Sequence, residues 1–218
     1  MRSNVWLLTV GTLVLAVVGC GGPGQTIPIS VTADSIPTTT KVRNVRVAVL
    51  PFEDMRSDKA VIGRWQHYVG TTVDQLIPAQ GSAADQVTGF VADYLKLVGF
   101  RVVRVQAGEG VVPGSADVVL SGRIEVYWSE AVVRFAWTQL KAVNRLVINL
   151  SNATDNRTVR TTVGGEGASK VIFFEIADLE RLNSEALREG LDRFLADIVV
   201  MDRAIQPQGG VPVLRGIF

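Results

Sequence analysis

With 218 residues, 47% of them hydrophobic and 20% charged, the chain suits one globular domain with appendages. Arg2 is the only charged residue before Cys20, so the remainder carries one basic residue fewer than 22 and balances its 21 acidic ones; its basic residues are dispersed, which argues against nucleic acid as a partner. The single cysteine, Cys20, excludes an internal disulfide, a thiol redox pair and a cysteine-based zinc site.

Arg2 and the terminal amine precede an apolar stretch from Val5 to Gly19, too short for a spanning helix but of the length of a signal-peptide core. It ends Val17-Val18-Gly19-Cys20, which resembles the lipobox of bacterial lipoproteins. That resemblance implies cleavage between Gly19 and Cys20, with diacylglycerol and palmitate on Cys20 as the only bound group and no other cofactor. Gly21 stands where an aspartate would favour inner-membrane retention, so the resemblance implies the periplasmic face of the outer membrane. The expected organisation is a signal peptide over 1–19, a lipidated tether over 20–44, a folded periplasmic domain over 45–200 and a loose tail over 201–218. Residues 21–44 are rich in Gly, Pro, Ser and Thr, a composition that buries too little apolar surface to fold alone.

The first strand expected is Val45 to Leu50, apolar and β-branched, ending at Pro51. A long polar excursion follows, from Glu53 to Gly81. Ser82 then opens a helix whose Val87, Phe90, Val91, Tyr94, Leu95 and Val98 share one face. Ser82 with Asp85 resembles a capping box, and Gly99 stands at the C-terminal cap. Phe100 to Val105 reads as a strand. Asp117 to Trp128 alternates so as to place Leu120, Gly122, Ile124, Val126 and Trp128 together; Ala142 to Ser151 does the same with Asn144, Leu146, Ile148 and Leu150. Ala153 to Asn156 has turn chemistry, Arg157 to Val163 returns as a hairpin partner, and Gly164, Gly165 and Gly167 are expected to bulge it. A second amphipathic helix is expected from about Ala177 to Val199. The fold class expected is therefore α+β: a single mixed sheet of about five strands in the order β-α-β-β-β-β-α, with the helices on one face and the first crossover parallel.

The stretch Val47-Ala48-Val49-Leu50-Pro51-Phe52-Glu53-Asp54-x-Arg56, some 27 residues after Cys20, resembles the start of YajG-like bacterial lipoproteins. Ala116 to Gly122 is similar to the later strand of that family. The resemblance implies the mixed sheet of envelope lipoproteins and brings no catalytic residues. Residues 57–81 depart from the pattern, being longer and more aromatic.

Arg64, Trp65, His67 and Tyr68 place the only histidine beside aromatic side chains and an arginine, the residue types of binding hot spots. The competing reading is a surface loop that packs its own aromatics. A lone histidine without a cysteine is a poor metal site, and none is expected. Glu53, Asp54, Arg56, Asp58 and Lys59 read as a solvated turn with surface ion pairs. Gly164 to Lys170 lacks the spacing of a phosphate loop, and no nucleophile pairs with His67. Trp128, Phe135 and Trp137 read as hairpin packing, or as a protein contact if exposed.

The expected function is non-enzymatic: a membrane-anchored accessory that binds an envelope protein in assembly, transport or secretion. Two alternatives belong to other classes, a carrier or sensor of a small apolar or lipid ligand and a cell-wall hydrolase. Open sheet edges would also allow a homo-oligomer.

Overall fold

The computed structural model describes residues 24–33, 44–69, 72–201 and 203–207. Cys20, the expected signal peptide, and the parts of the expected tether and tail at 21–23, 34–43 and 208–218 lie outside the described residues.

In chain order the elements are β1 (Thr26–Ile29), β2 (Arg46–Val49), β3 (Glu53–Asp54), β4 (Gly63–Gln66), β5 (Val73–Pro78), α1 (Ala83–Leu97), β6 (Arg101–Arg104), β7 (Val118–Val133), β8 (Thr138–Asn152), β9 (Thr158–Val171), α2 (Ile176–Ala196), β10 (Ile198–Met201) and β11 (Ala204–Pro207). The sheet expected to hold about five strands has nine, and β10 with β11 forms a separate two-stranded one. The five expected strands are all present, so the count fails by omission. Part of the expected tether is β1, parallel to β5, and part of the expected tail is β11. The polar excursion holds β3, β4 and β5. These strands are two to six residues long, too short to show a period.

β7 is the axis of the fold. One edge pairs antiparallel with β8, which continues to β9; the other edge is shared end to end by β2, β3 and β4, all parallel to it. β6 lies parallel to β2 and ends that side of the sheet. At roughly 3.3 Å per residue the 16 residues of β7 span about 50 Å.

A bulge divides β7. Ile124 pairs with Leu146 and Val126 with Arg145, leaving Glu125 as an extra residue. Before it Val118, Leu120 and Ile124 face the core; after it Tyr127, Ser129 and Ala131 do. Val126 and Trp128 therefore leave the face expected for them, because one inserted residue inverts every side chain beyond it. In β9, by contrast, the register runs unbroken through Gly164, Gly165 and Gly167, so the bulge expected there is absent. Those glycines admit α2 instead. A Cβ on Gly165 would stand 1.7 Å from the carbonyl oxygen of Ala186, so helix backbone rests directly on strand backbone.

Both helices pack on one face and share one core with the inward side chains of the sheet. In α1 the hydroxyl of Ser82 accepts from the Asp85 N–H and the Asp85 carboxylate accepts from the Ser82 N–H, closing the capping box. At its other end Gly99 has φ +97°, and the Phe100 N–H donates to the Leu95 carbonyl. α2 stops at Ala196, earlier than its apolar stripe suggested, and Ile198 enters β10. Tyr94 donates to Asp192 across the helix pair at 2.5 Å.

Candidate functional site

Two of the four residues singled out as a binding loop, Arg64 and Trp65, belong to a sheet, and His67 and Tyr68 follow its strand. Arg64 to Gln66 lie in β4, parallel to the second half of β7 and antiparallel to β5. β4 forms because β7 beyond its bulge would otherwise present a bare edge. Its own pattern, one aromatic among polar residues, is too weak to announce a strand.

Three of the four predicted residues are held by neighbours. Arg64 faces Glu130 in register, and its Nε donates to Glu130 Oε1 at 2.6 Å. The Trp65 ring lies 4.4 Å from the His67 ring and 5.1 Å, edge on, from that of Phe174. His67 Nε2 donates to Asp74 Oδ2 at 2.8 Å, and Asp74 Oδ1 accepts the Gln25 N–H at 2.7 Å. Burial opposes the charge on Asp74, but the bonds from His67 and Gln25 outweigh it and hold the carboxyl below its ordinary range. Asp74 of β5 thus ties His67, just past β4, to the point where the chain enters β1. Tyr68 is open to solvent, as is about half of the paired Arg64 side chain.

Tyr68 has company that the sequence reading missed. Val69 follows it; Phe135 tops the turn between β7 and β8; Ile172 and Phe173 follow β9. Register brings these three connections to one end of the sheet, since Gln66 pairs with Val132, Val133 with Thr138, and Thr138 with Val171. Phe135 and Phe173 are each 87% exposed and Val69 81%. The Tyr68 ring meets that of Phe135 edge on, at 6.3 Å. The Arg134 N–H donates to the Trp137 carbonyl at 2.7 Å and closes the turn under Phe135. The available signal was the run Val171-Ile172-Phe173-Phe174, four apolar residues where a connection should be polar.

Cations border this end. Lys170 Nζ stands 4.6 Å from the centre of the Trp137 ring. Arg64, Arg134 and Lys141 line a shallow depression on the open face of the sheet, with Glu130 among them. Trp128, Phe135 and Trp137 do not form one cluster: Trp128 lies on the open face below the turn, Phe135 at its tip, and Trp137 under Lys170.

The mixed-charge run after β2 is only partly the solvated turn expected: Glu53, Asp58 and Lys59 are exposed, but two of its members are not. Asp54 and Arg56 form a bidentate pair, each side chain less than a tenth exposed, and Arg56 Nη1 also donates to the carbonyls of Val61 and Tyr127. This guanidinium fastens the loop between β3 and β4 to β7. A separate groove of about 360 Å³ runs beside residues 30–33 and α2, lined by Thr32, Glu180, Arg181, Glu185 and Arg188 among others.

No protein-family model matches the chain, and no curated protein matches it. Among solved structures it is similar to protein XCC0632 from Xanthomonas campestris, described by the family model DUF330. That likeness has 14% identity, covers 80% of this chain and 93% of the other, and has a TM-score of 0.48. A structure described as an uncharacterized protein matches at 10% identity over 80% of this chain and 99% of the other, with a TM-score of 0.47. A PelC dodecamer from Paraburkholderia phytofirmans matches at 16% identity over 68% and 88%, with a TM-score of 0.37. These are distant structural relationships, which include uncharacterized bacterial proteins.

Proposed function

We propose that the chain is a lipid-anchored envelope protein of YajG-like kind, held on the periplasmic face of the outer membrane through acylated Cys20. It acts without catalysis, by binding a protein partner.

The observation that carries this reading is the polarity of β7. The chain enters the fold at Gly24, four residues after Cys20, at the end of the sheet where β7 finishes. The other end, about 50 Å away along β7, carries the parallel pair of β2 and β6. There β6 closes the sheet as an edge strand, with Val103 54% exposed between Arg101 and Arg104. An edge strand offers backbone donors and acceptors to an added strand. An anchor at one end and an open edge at the other is the arrangement of an accessory that reaches from a membrane to a partner.

The apolar-carrier alternative has less support. The core is filled by side chains from the sheet and both helices, and the groove beside α2 mixes Phe90 and Ala177 with the charged Glu180, Arg181, Glu185 and Arg188. A hydrolase has less still, because the His67 ring lies against Trp65 and, among the described residues, no serine or threonine hydroxyl is hydrogen-bonded to it.

The test places a photo-crosslinking residue at Val103 and, as a control, at Glu166 on the open face. A discrete adduct with another envelope protein is expected from position 103 in cells, absent at 166 and lost with Cys20→Ala. An adduct of twice the chain's mass, or none from the acylated protein, would overturn the partner reading.

A further inference from the structure

We infer that the aromatic end of the sheet is a membrane-seating surface, with Tyr68, Val69, Phe135, Ile172 and Phe173 lodged in the headgroup boundary of the leaflet that holds the acyl chains. The inference rests on the anchor reading above and adds a second point of attachment to it.

The first argument is reach. Gln25 is bonded to Asp74, and Gly24 runs so close to β5 that a Cβ on it would lie 1.8 Å from the Val73 carbonyl oxygen. From Cys20 to Gly24 the chain spans at most ~14 Å when fully extended. The tether expected to let the domain stand off the bilayer is shortened to these residues by β1. An acylated Cys20 therefore brings this end of the sheet, rather than any other surface, against the lipid.

Chemistry gives the second argument. Three separate connections converge there, and each exposes large apolar side chains where turns ordinarily expose polar ones. Aromatic rings with a polar edge settle at the headgroup level of a bilayer, and apolar groups penetrate roughly 5–10 Å beyond it. Arg134 beside Phe135 and Lys170 over Trp137 are placed to meet lipid phosphates from just above the apolar tip. Two acidic neighbours are engaged: Glu130 pairs with Arg64, and the Asp178 carboxylate accepts the Glu175 N–H at the start of α2. A protein interface at the same place would have to displace the lipid that the short spacer brings there.

The test uses the full chain expressed in bacteria. Cys20 is its only cysteine, so once it is acylated an introduced cysteine is the sole free thiol. Phe135→Cys and Phe173→Cys at the tip, and Thr154→Cys at the far end, receive a polarity-sensitive fluorophore. The protein is then reconstituted into phosphatidylethanolamine–phosphatidylglycerol vesicles with or without lipid carrying a headgroup nitroxide. Quenching at both tip positions is expected to exceed that at 154 by at least about threefold. Equal quenching at all three, with acylation intact, overturns the seating surface and leaves the anchor standing. Blue-shifted but unquenched emission at the tip would mean that a protein or a second copy occupies it, and also overturns the inference. Incorporation of labelled palmitate into the parent chain is read separately; its failure overturns the anchor reading and this inference with it.

Discussion

The ring of Phe52 fills the place where a side chain on Gly122 would be: a Cβ there would lie 2.2 Å from Phe52 Cε1 and 2.5 Å from Cζ. The contact explains the strand end Leu50-Pro51-Phe52. Leu50 donates the last bond to β7, at Leu120; Pro51 has no N–H to offer; the Phe52 N–H turns away to Thr88 Oγ1 of α1 at 2.9 Å. One residue thereby joins the end of β2, the bottom of α1 and the middle of β7. Gly122→Ala is expected to cost about 1–3 kcal/mol by overpacking, and Phe52→Ala about 3–5 kcal/mol by leaving a cavity. Urea unfolding followed by circular dichroism measures both, and a neutral Gly122→Ala would disprove the close contact.

Gly165→Ala should be worse than Gly122→Ala. The atom in its way is a backbone carbonyl of α2, which cannot rotate aside as a ring can, so the helix must lift from β9. Loss of near-ultraviolet signal and a lower unfolding midpoint are expected. Gly110→Ala, with nothing within 4 Å of its Cβ, should stay within about 0.5 kcal/mol of the parent.

Tyr127 joins the sheet to both helices, its hydroxyl donating to Gln86 Oε1 at 3.0 Å and accepting from Asn183 Nδ2 at 3.1 Å. Tyr127→Phe leaves the buried Asn183 amide without this partner and is expected to cost about 1–3 kcal/mol. Burial pushes the pKa of the Tyr127 hydroxyl up, because the phenolate would be charged inside the core. Its contribution to stability is therefore complete below the ordinary tyrosine value of about 10 and declines above it. Absorbance titration of the folded protein should show Tyr127 staying protonated above the ordinary tyrosine value. Ionisation of Tyr127 without unfolding would contradict the buried network.

Acid should destabilise the fold through three carboxylates. A side-chain bond from Arg46 holds Asp117 below the usual range, a bond from the Ser82 hydroxyl does so for Asp85, and bonds from His67 and Gln25 do so for Asp74 against the effect of burial. A group whose pKa is lower folded than unfolded stabilises above the unfolded value, near 4, and loses that contribution as pH falls through the folded one. Stability measured by urea should therefore be flat from neutrality to about pH 5 and fall below about pH 4. Arg46→Gln should shrink that fall by removing the main cause at Asp117. An unchanged acid limb would rule Arg46 out as that cause.

Where the local pattern was long, the sequence was legible. The α1 stripe from Val87 to Val98, the capping pair Ser82 and Asp85, the turn at Asn156 and the inward run Asn144, Leu146, Ile148 and Leu150 all stand where the periodicity put them. Each depends on neighbours a few residues away, so the information is local. At the candidate site the residue types were legible and their setting was not. Trp65 and His67 stood out as unusual neighbours, but the partners that engage them, Phe174 and Asp74, come from other elements.

The sequence by itself determined the two amphipathic helices, the strands β2, β6, β7, β8 and β9, and the turn that reverses β8 into β9. Only the tertiary structure decided the rest. β1, β3, β4 and β5 are short segments that become strands because β7 and its neighbours offer edges to pair with, a property of the assembled sheet. The bulge at Glu125 turns Trp128 outward and Tyr127 inward, since a count of two fails once a residue is inserted without a partner. Gly122 and Gly165 are glycine because a ring and a helix carbonyl, 70 and 21 positions away along the chain, occupy the space of their missing side chains. The exposed apolar end exists because pairing aligns the ends of β4, β7 and β9, bringing together side chains that no local window could relate.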